Sequence, residues 1–78
     1  MNYLALFYTH SGSIKFQRFL KSKGIEVNLS PTPRKLSSNC GIAASFYYEG
    51  SLEALISEDV EKVYTVDGNM YNLAFEGK

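Results

Sequence analysis

The chain has 78 residues, with eight Lys and Arg balanced by eight Asp and Glu, so its formal net charge is zero. This length predicts one domain spanning residues 1–78, and a hydrophobic fraction of 45% is ordinary for a globular protein. The balanced charge argues against binding to nucleic acid or a membrane through bulk electrostatics. The apolar run Tyr3–Tyr8 is too short for a signal peptide or a membrane span, and one cysteine cannot form an internal disulfide. We therefore expect a cytoplasmic protein.

The first part of the chain predicts a strand, a helix and a second strand. Tyr3–Tyr8 is apolar on both faces, which is typical of a central strand. Ser11 and Ser13 are candidates for the N-cap of a helix over Ile14–Lys23, where apolar residues recur at helical spacing. Ile25–Leu29 alternates between apolar and polar residues and predicts a half-exposed strand.

The second part of the chain predicts three more strands. Ile42–Tyr48 alternates at the strand period, and Val60–Val66 is rich in β-branched residues. Asp67-Gly68 is a strong turn signal, so Met70–Phe75 is expected to return as the hairpin partner of the strand before it.

A short second helix is expected between Ile42–Tyr48 and Val60–Val66, beginning after Ser51 and ending at Ser57. The element order β-α-β-β-α-β predicts an α+β, ferredoxin-like sandwich in which one antiparallel sheet, ordered fourth, first, third, second, carries two helices on one face. Met70–Phe75 would add an extra C-terminal strand. The buried edge of the second helix would consist of Leu52, Leu55 and Ile56.

The segment Ser30–Ile42 holds both prolines and the only cysteine of the chain. Because proline fixes φ and lacks an N–H donor, this segment is predicted to be a shaped loop. The loop delivers Cys40, followed by Gly41, to the start of an apolar strand. One His and one Cys cannot complete a zinc site, and no cofactor-binding motif is present, so neither a metal nor a cofactor is predicted.

The predicted fold brings Cys40 to the same end of the sheet as His10 and the start of the first helix. A helix N-terminus offers N–H donors and partial positive charge, and Arg34 would add charge if its loop folds back. Such surroundings favour a reactive thiolate. His10 is then a base or an ion-pair partner, or else a solvated residue, and Arg34 is an anion ligand or a solvated charge. The candidate site consists of Cys40 as the reacting group, with Arg34, His10, Ser11 and Gly41 around it.

Two other interpretations remain open for this cysteine. A lone cysteine is often a small buried hydrophobe, in which case the protein is a non-catalytic, ferredoxin-like module that binds a small ligand or another protein. A redox sensor is less consistent with the chain, because a second cysteine that could resolve a sulfenic acid is absent.

The loop Pro31-Thr32-Pro33-Arg34 and the strand start Ser37-Ser38-Asn39-Cys40-Gly41-Ile42 resemble a family of small bacterial selenium/sulfur carrier-like proteins. The helix end Leu20-Lys21-Ser22-Lys23-Gly24-Ile25 fits the same family, and the similarity covers about residues 3 to 66.

The resemblance implies a carrier rather than a turnover enzyme. Cys40 would hold sulfur or selenium as a persulfide or selenosulfide, and the partners would be donor and acceptor proteins. We also expect a homodimer formed through an edge strand or through Met70–Phe75, because uncovered edges favour pairing between copies.

Overall fold

The structure is a computed structural model that describes residues 1–36 and 40–77. In that part of the chain five strands form one sheet in the order β2-β3-β1-β4-β5, with every neighbouring pair antiparallel. The predicted α+β class and the extra C-terminal strand are confirmed. The loop residues 37–39, which belong to the predicted motif, lie outside the described residues. The elements are β1 (Asn2–Phe7), α1 (His10–Ser22), β2 (Val27–Pro31), β3 (Ile42–Tyr47), a 3-10 turn (Leu52–Ala54), β4 (Val60–Asp67) and β5 (Met70–Glu76).

Strand β1 is the centre of the sheet and lies between β3 and β4. Five of its six residues are apolar and buried, and they face both sides of the sheet, which explains why its sequence lacks a polar alternation. Strand β2 pairs with β3 and not with β1, because α1 connects β1 to β2 across the sheet.

The first helix begins four residues earlier than predicted, at His10 instead of Ile14. Its N-cap is Thr9, whose Oγ1 accepts a hydrogen bond from the Gly12 N–H at 3.0 Å. The predicted caps Ser11 and Ser13 are therefore wrong: both lie inside the helix, and the Ser13 hydroxyl donates to the His10 carbonyl at 2.6 Å. Serine is a common N-cap residue, but in this helix the side chain of the earlier Thr9 accepts the hydrogen bond from the first turn.

The predicted second helix is also wrong in the described part of the chain, where the segment forms only the 3-10 turn Leu52–Ala54. The stretch between Ser51 and Ser57 is too short to repay the cost of nucleating an α-helix. Its apolar side chains nevertheless pack as expected: Leu55 is fully buried, and Leu52 and Ile56 contact the core. The two-helix sandwich is thus replaced by one helix and a short turn on the same face.

The main core lies between α1 and the sheet. Phe16 from the helix stacks obliquely on Phe7 of β1 and Phe46 of β3, with ring centroids 5.1 and 5.5 Å away. Aromatic pairs in this geometry add to the stabilisation from burying their area. The opposite face of the sheet carries a smaller apolar cluster around Leu4 and Leu6.

Candidate functional site

Cys40 lies two residues before the start of β3, at the end of the sheet where β1 ends and α1 begins. The strand register sets this position, since Ala43 of β3 pairs with Leu6 of β1 and Ile42 pairs with Pro31 of β2. Helix α1 begins three residues after the last residue of β1. Cys40, Gly41, His10 and the first turn of α1 therefore belong to one end of the molecule.

The Cys40 side chain is half-buried and packs against the core beneath α1. Its Sγ lies 3.4 Å from the Ile42 nitrogen and 3.4 Å from the Ile42 oxygen. The Ile42 N–H donates to sulfur, and the thiol S–H can donate to the Ile42 carbonyl. One backbone residue thus provides a donor that suits an anionic sulfur and an acceptor that suits the protonated thiol.

Gly41 allows the thiol to approach Ile42. Its φ of +71° lies in the left-handed region, which glycine adopts at little cost. The Gly41 carbonyl accepts a hydrogen bond from the Thr32 N–H at 3.0 Å, so the first loop residue after β2 is tied to the residue that follows the cysteine.

The N-terminus of α1 already has partners of its own. His10 and Ser11 are exposed, and the Ser11 hydroxyl lies 3.3 Å from Thr9 Oγ1. Gly12 is buried against Asp59: a Cβ added at Gly12 would lie 3.0 Å from the Asp59 Cβ and 3.4 Å from its carboxyl carbon. An acidic side chain beside the first helical turn reduces the positive potential that this terminus offers to a thiolate. The sequence gives no local signal of this contact, because Asp59 lies 47 positions after Gly12 along the chain.

Arg34 is exposed in a turn in which the Leu36 N–H donates to the Pro33 carbonyl at 3.0 Å. The loop then crosses to the sheet face opposite α1, where Leu36 packs against the cluster around Leu4 and Leu6. Lys35 Nζ lies 3.5 Å from the carbonyl oxygen of Asn69, in the β4–β5 turn. The described part of the loop therefore directs Lys35 away from the N-terminus of α1.

Among residues 1–36 and 40–77, the acidic, His and Cys side chains form no cluster of three able to hold a metal ion. A groove of about 730 Å³ opens at the opposite end of the sheet, next to Asn2, Gly24 and Tyr47. No helix in the described ranges combines the length and the apolar character needed to cross a membrane.

The fold and site define a small α+β protein that presents one cysteine at the start of a sheet strand. Comparison with protein families gives a match over residues 2–64 to the family described as "Putative Se/S carrier protein-like". This match covers most of the chain, and the protein belongs to that family. The searches of curated proteins and of solved structures returned no match.

Proposed function

We propose that the protein carries sulfur or selenium on Cys40 and transfers it between partner proteins in the cytoplasm. Membership of the family supports this function. The observation that carries it is the placement of Cys40. The residue is half-buried and lies two residues before β3, and its sulfur accepts a hydrogen bond from the Ile42 N–H at 3.4 Å.

The proposed step is a thiol exchange. The Cys40 thiolate attacks the terminal sulfur of a persulfide on the donor protein, a new sulfur–sulfur bond forms, and the donor's own bond breaks. The donor leaves as a thiolate, so no external oxidant or reductant is needed. The persulfide on Cys40 then gives its terminal sulfur to an acceptor thiol by the same exchange, and a selenosulfide donor would deliver selenium in the same way.

The residues around Cys40 have separate roles in this proposal. The Ile42 N–H stabilises negative charge on the sulfur. Gly41 supplies the backbone turn that brings the thiol to that donor. His10, Ser11 and Arg34 are exposed polar side chains that would contact a docking partner or its anionic sulfur. The Asp59 carboxyl beside Gly12 makes the local backbone donor more important than the helix terminus for this charge.

The overall architecture belongs to the same proposal. We propose that the fold is a reduced ferredoxin-like sandwich in which the turn Leu52–Ala54 takes the place of the second helix. The sheet order β2-β3-β1-β4 and the antiparallel pairings support this relationship.

Mass spectrometry of the intact protein tests the function. The protein is incubated with a persulfide donor and its mass is measured under non-reducing conditions, before and after treatment with dithiothreitol. We expect a gain of one sulfur atom that dithiothreitol removes and that Cys40→Ser abolishes.

The alternative function is a small binding module in which the cysteine is only structural. Packing of Cys40 against the core favours this alternative. It predicts that the folded protein resists both alkylation and persulfide formation and that both become fast on unfolding. That result would contradict the carrier function.

A further inference from the structure

Strand β5 (Met70–Glu76) is an edge of the sheet, and its outer side is not covered by another described strand. Two of its large apolar residues are highly exposed, with Met70 at 63% and Leu73 at 53%. The segment Met70–Phe75 contains neither a proline nor a charged residue. Edges of this kind pair readily with another strand, because their backbone groups are unpaired and nothing repels a partner.

The other edge of the sheet is protected against such pairing. Strand β2 spans only five residues and ends in Pro31, which lacks an N–H donor. Its exposed residues are Asn28, Ser30 and Pro31, and none of them presents a large apolar side chain. The two edges of one sheet therefore differ in the features that govern association, and β5 is the edge open to a partner.

The pairing of β5 with β4 fixes which of its groups point outward. Asp67 pairs with Met70 across a two-residue turn, so these two residues form a hydrogen-bonded pair. Hydrogen-bonded pairs alternate along an antiparallel ladder, so the backbone groups of Asn72 also point towards β4. Tyr71 and Leu73 direct theirs away from the sheet. Both also have side chains on the face opposite α1, because they pair with Val66 and Tyr64.

We infer that the protein forms a symmetric dimer in which β5 pairs with β5 of a second copy, antiparallel and centred on Asn72. In this register Tyr71 of each copy lies opposite Leu73 of the other, and both pairs are on the same face. Four apolar side chains then meet across the two-fold axis. The extra residue Ala74, where β5 bulges, limits the length of the pairing.

Charge complementarity favours a second copy over an unrelated strand. In the pairing centred on Asn72, Glu76 of one copy lies beside the β4–β5 turn of the other copy, close to Asn69. The Lys35 ammonium lies 3.5 Å from the Asn69 carbonyl, so each acidic side chain approaches a lysine of the other copy. Glu76 lies on this face because it pairs with Lys62, which in turn pairs with Leu6.

Disulfide trapping tests the register directly. In a Cys40→Ser background, Asn72→Cys places two thiols at a non-hydrogen-bonded antiparallel pair, where the Cα atoms are about 4.5 Å apart and a disulfide can form. The control Ala74→Cys puts the two thiols four residues out of register. We expect mild oxidation to crosslink Asn72→Cys rapidly and Ala74→Cys slowly. Equal rates, or no crosslink at either position, would overturn the inference.

Sedimentation of the unmodified full chain gives the second test. We expect a concentration-dependent dimer that Leu73→Lys weakens by about tenfold or more, because the lysine is forced beside Tyr71. Tyr47→Lys, an equally exposed position on β3, serves as the matched control and should leave the dimer unchanged. Glu76→Lys should weaken the dimer, and adding Lys35→Glu should restore it.

A monomer at every concentration, or a dimer insensitive to Leu73→Lys, would show that the edge serves another partner or none. Failure of the charge exchange between residues 76 and 35 would overturn the centred register. These readouts do not depend on the chemistry of Cys40, so they remain separate from the carrier proposal.

Discussion

The backbone N–H of Ile42 donates a hydrogen bond to the sulfur of Cys40, which lies two residues earlier in the chain, at a distance of 3.4 Å. This contact requires the chain to reverse at the residue between them, and Gly41 does so with a φ of +71°. The sulfur is therefore held by the backbone at the start of β3, and its position depends on the conformation of a single glycine.

The first prediction concerns that glycine. Gly41→Ala should destabilise the fold by about 1–2 kcal/mol, because a Cβ disfavours the left-handed region. It should also change the rate at which iodoacetamide modifies Cys40 in the folded protein. Chemical denaturation and timed alkylation provide the two measurements.

The control for Gly41→Ala is Gly68→Ala, which has a similar φ of +61° and equally open space around a Cβ but lies in the β4–β5 turn. It should cost a similar free energy and leave the alkylation rate unchanged. If both variants alter the alkylation rate equally, the backbone at residue 41 does not position the thiol.

The second prediction concerns the start of α1. Thr9→Ala removes the acceptor for the Gly12 N–H and should lower the free energy of unfolding by about 1 kcal/mol. Thr9→Ser keeps a hydroxyl at the cap and should recover most of that loss. Equal destabilisation by both variants in urea would mean that the threonine methyl group, and not the cap, contributes the stability.

The third prediction concerns the segment that replaces the second helix. Leu55 is fully buried at the end of the 3-10 turn, so Leu55→Ala should cost about 2–5 kcal/mol. Glu53→Ala, at an exposed position of the same turn, should stay within about 0.5 kcal/mol of the unmodified protein. A small effect at Leu55 would show that the turn contributes little to the core.

The fourth prediction separates two contacts of the loop after β2. Leu36 is half-buried against Leu4 and Leu6, so Leu36→Ala should lower the free energy of unfolding by about 1–2 kcal/mol, less than for a fully buried leucine. Lys35→Ala removes only an exposed contact to the Asn69 carbonyl and should cost less than about 0.5 kcal/mol. Thermal melts of the two variants should therefore differ clearly, and the reverse order would contradict the packing of Leu36 on the sheet.

Local patterns predicted four of the five strands to within one residue at each end, because each signal lies within the strand itself. Strand β2 begins and ends two residues later than the predicted Ile25–Leu29, so it includes Ser30 and Pro31, which were assigned to the loop. Val60–Val66 and Met70–Phe75 were each predicted to within one residue of the observed end, since β-branched residues and an Asp-Gly turn act over short distances. The predicted start of α1 is too late because Thr9, Ser11 and Ser13 are all residue types that cap helices. Only the folded structure shows that the Thr9 side chain accepts the hydrogen bond from the first helical turn. The prediction of a second helix was wrong for another reason. A short turn can bury the side chains of Leu52, Leu55 and Ile56 as well as a helix can.

The sequence by itself determined the α+β class, the position of the thiol before a strand, and the glycine that follows it. These features depend on residue type and on spacings of a few positions. Only the tertiary structure decided that Asp59 lies against the first turn of α1 and that Lys35 reaches the β4–β5 turn. Both contacts join residues more than 30 positions apart, and the pairing of strands across the sheet, which no local pattern encodes, brings them together.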